Sequence, residues 1–201
     1  MMKILDSLIT SIMAFIGLNR ESISREQGWN LLDAGRKTEQ SLLLVNMLRT
    51  TLVAKQDEQV EYNLMEAVLK SHECLVNYRY KYRAHLQLPL VLDLMLLDPN
   101  NPRSLLYQLD RLKAYLSQLP KIKDDNSLAE HERLVLEAHT FLKLSSKDEL
   151  AEPGKNAAGY EQLEKFLLKM QSLLVAIQAV VSKTYFKHAQ AQKQLFTLDN
   201  I

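Results

Sequence analysis

The sequence is poor in residues that interrupt a helix or anchor a covalent site. Its 201 residues include five Gly, five Pro and one Cys, Cys74. One thiol makes no internal disulfide, and a cysteine-based metal centre needs more than one. So few turn-forming residues disfavour a many-stranded sandwich or barrel and favour long helices. An excess of one charge is also missing. There are 25 Lys+Arg against 24 Asp+Glu, a formal net charge of +1, so the basic excess of a general nucleic-acid binder is absent. No uninterrupted apolar run reaches the roughly 18 residues of a membrane span. Catalytic signatures are lacking too: there is no nucleophile elbow, Gly-rich phosphate loop, zinc spacing or Glu-x-x-His pair. The five histidines, His72, His85, His131, His139 and His188, do not fall at ligand spacing along one helix. No metal or cofactor is expected from these residues, and neither a nucleic-acid partner nor a membrane.

What is present is apolar and periodic. Hydrophobic residues make up 47% of the chain and Leu alone accounts for 39 positions, which excludes disorder and supplies a sizeable core. Ile4, Leu5, Leu8, Ile9, Ile12, Met13 and Ile16 recur at helical spacing and predict a packed amphipathic helix rather than a signal peptide. A lone thiol and no signal peptide together indicate a cytoplasmic protein. A second helix is predicted from about Gly28 to Lys55, with Leu32, Leu43, Val45, Met47, Leu48 and Leu52 on its inner stripe. A third extends to about His85, and a Leu-rich piece follows at Leu88–Leu97. In Asp98-Pro99-Asn100-Asn101-Pro102, Pro99 ends that piece. Asn101 is placed to cap the next helix, with Pro102 at its first position. Leu105, Leu106, Leu109, Leu112 and Leu116 carry that helix to Pro120. After a charged loop at Lys121–Asn126 come helices at about Ser127–Leu144 and Gly159–Lys187, separated by a polar stretch with Pro153 and Gly154. Short connections between helices predict an all-α, antiparallel bundle of six to seven helices, with no composition shift to divide residues 1–201 into domains.

Three constellations stand out. Leu32, Arg36, Glu39 and Leu43 share one helical face, so Arg36 and Glu39 sit on the predicted apolar stripe at pairing distance. This reads as a structural ion pair, as a polar pocket for a ligand or partner group, or as a surface pair if the helix phase differs. Gly35 inside a helix weakens it by about 1 kcal/mol against Ala, which a close approach of another chain segment would explain. Trp29 is expected to anchor the core. In Tyr78-Arg79-Tyr80-Lys81-Tyr82-Arg83, Tyr78 with Tyr82 and Arg79 with Arg83 each share a face. The arginines suit bidentate binding of carboxylate or phosphate, or the tyrosines pack and the arginines pair elsewhere. Arg103 stands in a first helical turn, where the macrodipole disfavours a cation, and Asp98 or Asp93 are candidate partners.

Together these residues resemble a known family. Gly28-Trp29-x-x-Leu32-Asp33-x-Gly35-Arg36-x-x-Glu39, Tyr78-Arg79-x-x-Tyr82-Arg83 and Val91-Leu92-Asp93-Leu94 come first. Asn101-Pro102-Arg103-Ser104-Leu105-x-x-Gln108-Leu109 and Tyr185-Phe186-x-His188 follow in order. The set is similar to the alpha-E family of bacterial helical proteins, named for a Glu-Arg signature that reads Glu39-Gln40 here. The chain resembles the later two-thirds of that family's usual length, without its N-terminal part. The resemblance implies a cytoplasmic, non-catalytic accessory or substrate-handling module of a peptide- or amide-forming system. Its implied partners are a circularly permuted ATP-grasp ligase and a transglutaminase-like protease. On this reading Arg36, Glu39, Tyr78, Arg79, Tyr82, Arg83, Asp93, Arg103, Gln108 and His188 converge on one polar groove. Two other roles are compatible with the residues. One is an enzyme in its own right acting on a peptide or amine, with Glu39 or His188 as base. The other is a purely structural, self-associating helical protein, because a shortened domain exposes apolar surface.

Overall fold

The computed structural model describes residues 2–120, 127–154 and 159–186. These form nine α-helices: α1 (Met2–Ser22), α2 (Gln27–Leu52), α3 (Glu58–Ser71), α4 (Leu75–Tyr82), α5 (Leu88–Leu92), α6 (Leu105–Leu116), α7 (Glu130–Lys143), α8 (Lys147–Leu150) and α9 (Glu161–Tyr185). A π-helical turn, Asp93–Leu97, continues directly from α5. No strand occurs among the described residues; a single antiparallel bridge joins Ala54 to Gly159. The all-α class follows the sequence expectation. The helix number exceeds the expected six to seven because two stretches divide and one loop coils. The third predicted helix breaks at 72–74, where Glu73 adopts a positive φ of 56°. Leu88–Leu97 divides into α5 and the π-turn, and α8 forms inside the predicted polar stretch. The predicted loop Lys121–Asn126 lies outside the described residues.

Four helices form the body in cyclic order: α2 packs on α6 and α9, and α7 packs on α6 and α9. The π-turn contributes Leu94, Met95 and Leu96, all buried, against α6 and α7. The buried face of α6 is the Leu105, Leu106, Leu109, Leu112, Leu116 stripe read from the sequence, and α9 buries Leu163, Phe166, Leu167, Met170, Leu173, Leu174 and Ile177. By length and composition α9 could cross a membrane, but these residues face the core.

Local chemistry sets the helix ends. Ser104, not Asn101, is the N-cap of α6: its Oγ accepts the Tyr107 N–H at 3.1 Å and donates to the Asp98 carbonyl at 2.6 Å. Asn101 caps the preceding turn, accepting the Arg103 N–H at 3.1 Å. Pro102 therefore lies before the helix, not at its first position. At α7 the Glu132 carboxylate accepts the Ala129 N–H at 2.7 Å, the Glu half of a capping box.

Two packing expectations are corrected. The buried residues in the first half of α2 are Trp29, Asn30, Asp33, Ala34, Thr38 and Ser41, while Leu32 and Leu43 are exposed. The inward face is therefore rotated from the predicted stripe, because short polar side chains occupy the core side. In addition, α1 is a helix but is not packed: its large apolar side chains from Ile4 to Leu18 are all exposed.

Candidate functional site

The seam between α2 and α6 opens into a cavity of about 630 Å³, within the size range of small-ligand sites. One turn of α2 after another supplies Trp29, Asp33, Arg36 with Lys37, and Gln40. From α6 come Tyr107, Arg111 and Tyr115, spaced four apart on one face. The end of α1 and the bend after it add Ile16, Arg20 and Arg25. Five cations thus surround one carboxylate. Arg36 pairs with Asp33 at 3.1 Å. Among the described residues, Arg20, Arg25, Lys37 and Arg111 have no carboxylate partner. Instead, Arg25 lies 3.7 Å over the Trp29 ring, Arg111 5.3 Å from the Tyr107 ring, and the Lys37 ammonium 6.0 Å from the same ring. Lys37 Nζ donates to Gln40 Oε1 at 3.1 Å.

The field at this site is positive. Burial holds the Lys37 ammonium below its ordinary pKa; Asp33 opposes this, and Arg20, Arg111 and Arg103 add to the lowering. Burial and the Asp33 carboxylate push the Tyr115 phenol up. Planar guanidiniums, an ammonium and phenols around an open cavity favour a carboxylate or phosphate of a ligand.

The residues predicted to share one groove are distributed over several places. Arg36 reaches the cavity, but its partner is Asp33 rather than Glu39. Glu39 is exposed and accepts from Gln178 Nε2 at 3.2 Å. Tyr78 is fully buried; its hydroxyl donates to the His85 carbonyl at 2.8 Å and accepts the Gln87 N–H at 3.2 Å. Arg79 stands 3.8 Å from Glu66 on the surface, and Arg83 is exposed in the left-handed region at the end of α4. Arg103 pairs with Glu73 at 3.1 Å, not with Asp98 or Asp93. Gln108 is buried, donating to the Pro102 carbonyl at 2.5 Å while its Oε1 has no partner. His188 lies outside the described residues.

Three predicted residues do come together. Tyr78 and Tyr82 have ring centroids 4.9 Å apart, and the Tyr82 hydroxyl donates to Asp93 at 2.5 Å. Lys81, which the sequence reading passed over, bridges Asp93 at 3.3 Å and Asp98 at 2.9 Å. Burial pulls the Lys81 ammonium down, but its bonds to Asp98 and Tyr82 outweigh this and hold it above its ordinary value. Lys147, 3.9 Å from Asp93, supplies the second cation, so two cations match two carboxylates and the network fixes the π-turn to α4 with no charge left over for a ligand. The α2–α6 cavity, by contrast, gathers several cations without carboxylate partners around one space. Lys37, Tyr107, Arg111 and Tyr115 were missed there; the signal available was the Tyr107–Arg111–Tyr115 spacing.

The model of the Alpha-E family, described as a predicted alpha-helical domain with a conserved ER motif, matches residues 1–186. The chain belongs to the Alpha-E family. Among curated relatives, an uncharacterized protein of Mycobacterium bovis and two of Mycobacterium tuberculosis are each 35% identical over 144 residues. Each match covers 72% of this chain and 16% of the relative, so the chain spans a small part of those proteins' length. No solved structure matches it. In this Alpha-E chain the Glu of the Glu39-Gln40 pair sits on the outer face of α2, one turn from the Arg36 rim of the cavity.

Proposed function

We propose that this Alpha-E chain is a non-catalytic, cytoplasmic helical module that handles substrate for a circularly permuted ATP-grasp peptide or amide ligase. A transglutaminase-like protease belongs to the same system. The α2–α6 cavity binds the anionic group of that substrate, a carboxylate or a phosphate. The observation that carries the binding part is the set of three cations, Arg25, Lys37 and Arg111, held without carboxylate partners around one cavity. The partner part rests on family membership and on the motifs from Gly28 to His188.

Trp29, the only Trp, lines this cavity under Arg25 and reports on it directly. Titration with pyrophosphate or a short acidic peptide is expected to change Trp29 emission and raise the melting temperature. In Arg111→Ala the same titration is expected to lose most of the response. Co-purification with the ligase tests the partner part. An unchanged Trp29 signal and melting temperature at millimolar anion would defeat the binding reading. Absence of the ligase from a purification that retains a folded chain would defeat the partner reading.

A further inference from the structure

α1 has the composition of a core helix and the exposure of a surface one. Its large apolar side chains from Ile4 to Leu18 are 39 to 77% exposed. A helix apolar over so wide an arc is normally buried. Summing the fractional exposures gives on the order of 900 Å² of apolar surface, above the roughly 300–600 Å² of a typical monomer's largest patch. It matches the roughly 800 Å² that each partner contributes to a standard specific interface. One helix therefore carries enough surface for a stable pair.

The charges specify the arrangement. Between Ser7 and Asn19 the helix has no charged residue; Lys3 and Asp6 lie at one end, Arg20 and Glu21 at the other. At 100° per residue Asp6 and Arg20 fall on one flank of the apolar arc, and Lys3 and Glu21 on the face opposite it. An antiparallel pair brings equivalent flanks together. With Ile12 of one copy level with Met13 of the other, Asp6 comes within one residue of the second copy's Arg20, and this contact occurs twice by symmetry. A parallel pair would instead set the Asp6 and Arg20 flank of each copy against the uncharged flank of the other, leaving both charges unmatched. The antiparallel pair also opposes the two macrodipoles. Asp6 and Arg20 have no ion-pair partner within the chain among the described residues.

We propose that α1 is the assembly element of this protein and that its occupant is α1 of a second copy, packed antiparallel. The pair leaves the four-helix body of each copy outside the contact. Because α1 stands off that body, it can be altered without unfolding the core.

Sedimentation velocity of the full chain from about 1 to about 100 µM tests this. Wild type is expected to shift to a dimer across the range. The double variant Ile9→Glu, Ile12→Glu is expected to remain monomeric with its melting temperature within a few degrees. Oxidation of single-cysteine variants then reads the direction, since native Cys74 is buried and silent. Met13→Cys is expected to cross-link copies. Ile4→Cys is not, because the two positions lie about 25 Å apart along an antiparallel pair. A wild-type chain that stays monomeric throughout overturns the proposal, even if α1 then binds phosphatidylcholine vesicles or the ligase. A dimer that survives the double substitution, or one that cross-links through Ile4→Cys and not Met13→Cys, overturns it too.

Discussion

Substituting Gly35 with Ala is expected to stabilise the protein. Gly35 is the ninth residue of the 26-residue α2, so the position is helix interior and carries the full propensity difference, about 0.8–1 kcal/mol in favour of Ala. Ala also narrows the unfolded ensemble at that position. The gain is realised only if the new methyl meets nothing, and an ideal Cβ at Gly35 has no heavy atom within 4 Å. The side faces solvent beside Leu32 and Leu43, so no core rearrangement offsets it. A gain near 0.8 kcal/mol in a chain of this length raises the melting temperature by about 2–3 °C, and the urea midpoint rises with an unchanged slope. Gly28 is a built-in control. It is equally open but only the second residue of α2, where propensity counts for little, so Gly28→Ala is expected to change stability by no more than a few tenths of a kcal/mol. Calorimetry of the two variants reads both values. A Gly35→Ala protein no more stable than wild type, or less stable, would refute the reasoning. It would mean that another surface presses on this face in solution.

Four further outcomes are expected. Arg83, at φ 50°, holds a left-handed conformation that suits Gly, so Arg83→Gly is expected to gain about 0.5–1 kcal/mol in urea unfolding and to leave anion binding unchanged. A loss of anion affinity would return Arg83 to the site. Tyr82→Phe removes the 2.5 Å hydrogen bond to half-buried Asp93 and is expected to lose about 1 kcal/mol in the same assay, with no loss refuting the bond's role. Anion affinity is expected to fall as pH rises through the depressed pKa of Lys37, because only the ammonium attracts the ligand, and Lys37→Arg is expected to flatten that alkaline limb. Burial lowers the His72 pKa, so below the ordinary His value the unfolded chain takes up the proton first. Stability is then full above that value and declines as pH falls through it; His72→Gln in acid urea titrations should reduce the decline.

Much of the architecture was legible because leucine carried it. The α6 stripe from Leu105 to Leu116 and the α9 face from Leu163 to Ile177 are strictly periodic, and both faces are buried. The first half of α2 was misread because its inward side is polar but satisfied. Asn30 bonds Gln118 at 3.1 Å, and the Thr38 and Ser41 hydroxyls bond the Ala34 and Lys37 carbonyls at 2.9 and 2.8 Å. Apolar periodicity alone turned Leu32 and Leu43 inward. The cationic cavity was invisible for a different reason. Arg36 and Lys37 lie some seventy residues from Tyr107 and Arg111, and only the pairing of α2 with α6 makes them neighbours. The Tyr78–Tyr82–Asp93 contact was partly foreseeable from residue types, but its charge balance depends on Lys81, whose sequence context is unremarkable. For α1, apolar spacing announces burial without supplying the surface that provides it.

Gly159 has a consequence for how the molecule opens. A Cβ there would lie 2.7 Å from the Val53 carbonyl oxygen, the same atom that accepts the Tyr160 N–H at 2.8 Å. One backbone contact thus ties the segment after α2 to the segment before α9, over a hundred residues along the chain. The Tyr160 amide belongs to a connecting segment, where exchange with solvent is ordinarily fast. Its acceptor is the carbonyl of the residue that caps α2, so exposing it requires those two helix ends to part. Its hydrogen exchange should therefore be as slow as that of the helical core, making a loop amide a gauge of global opening.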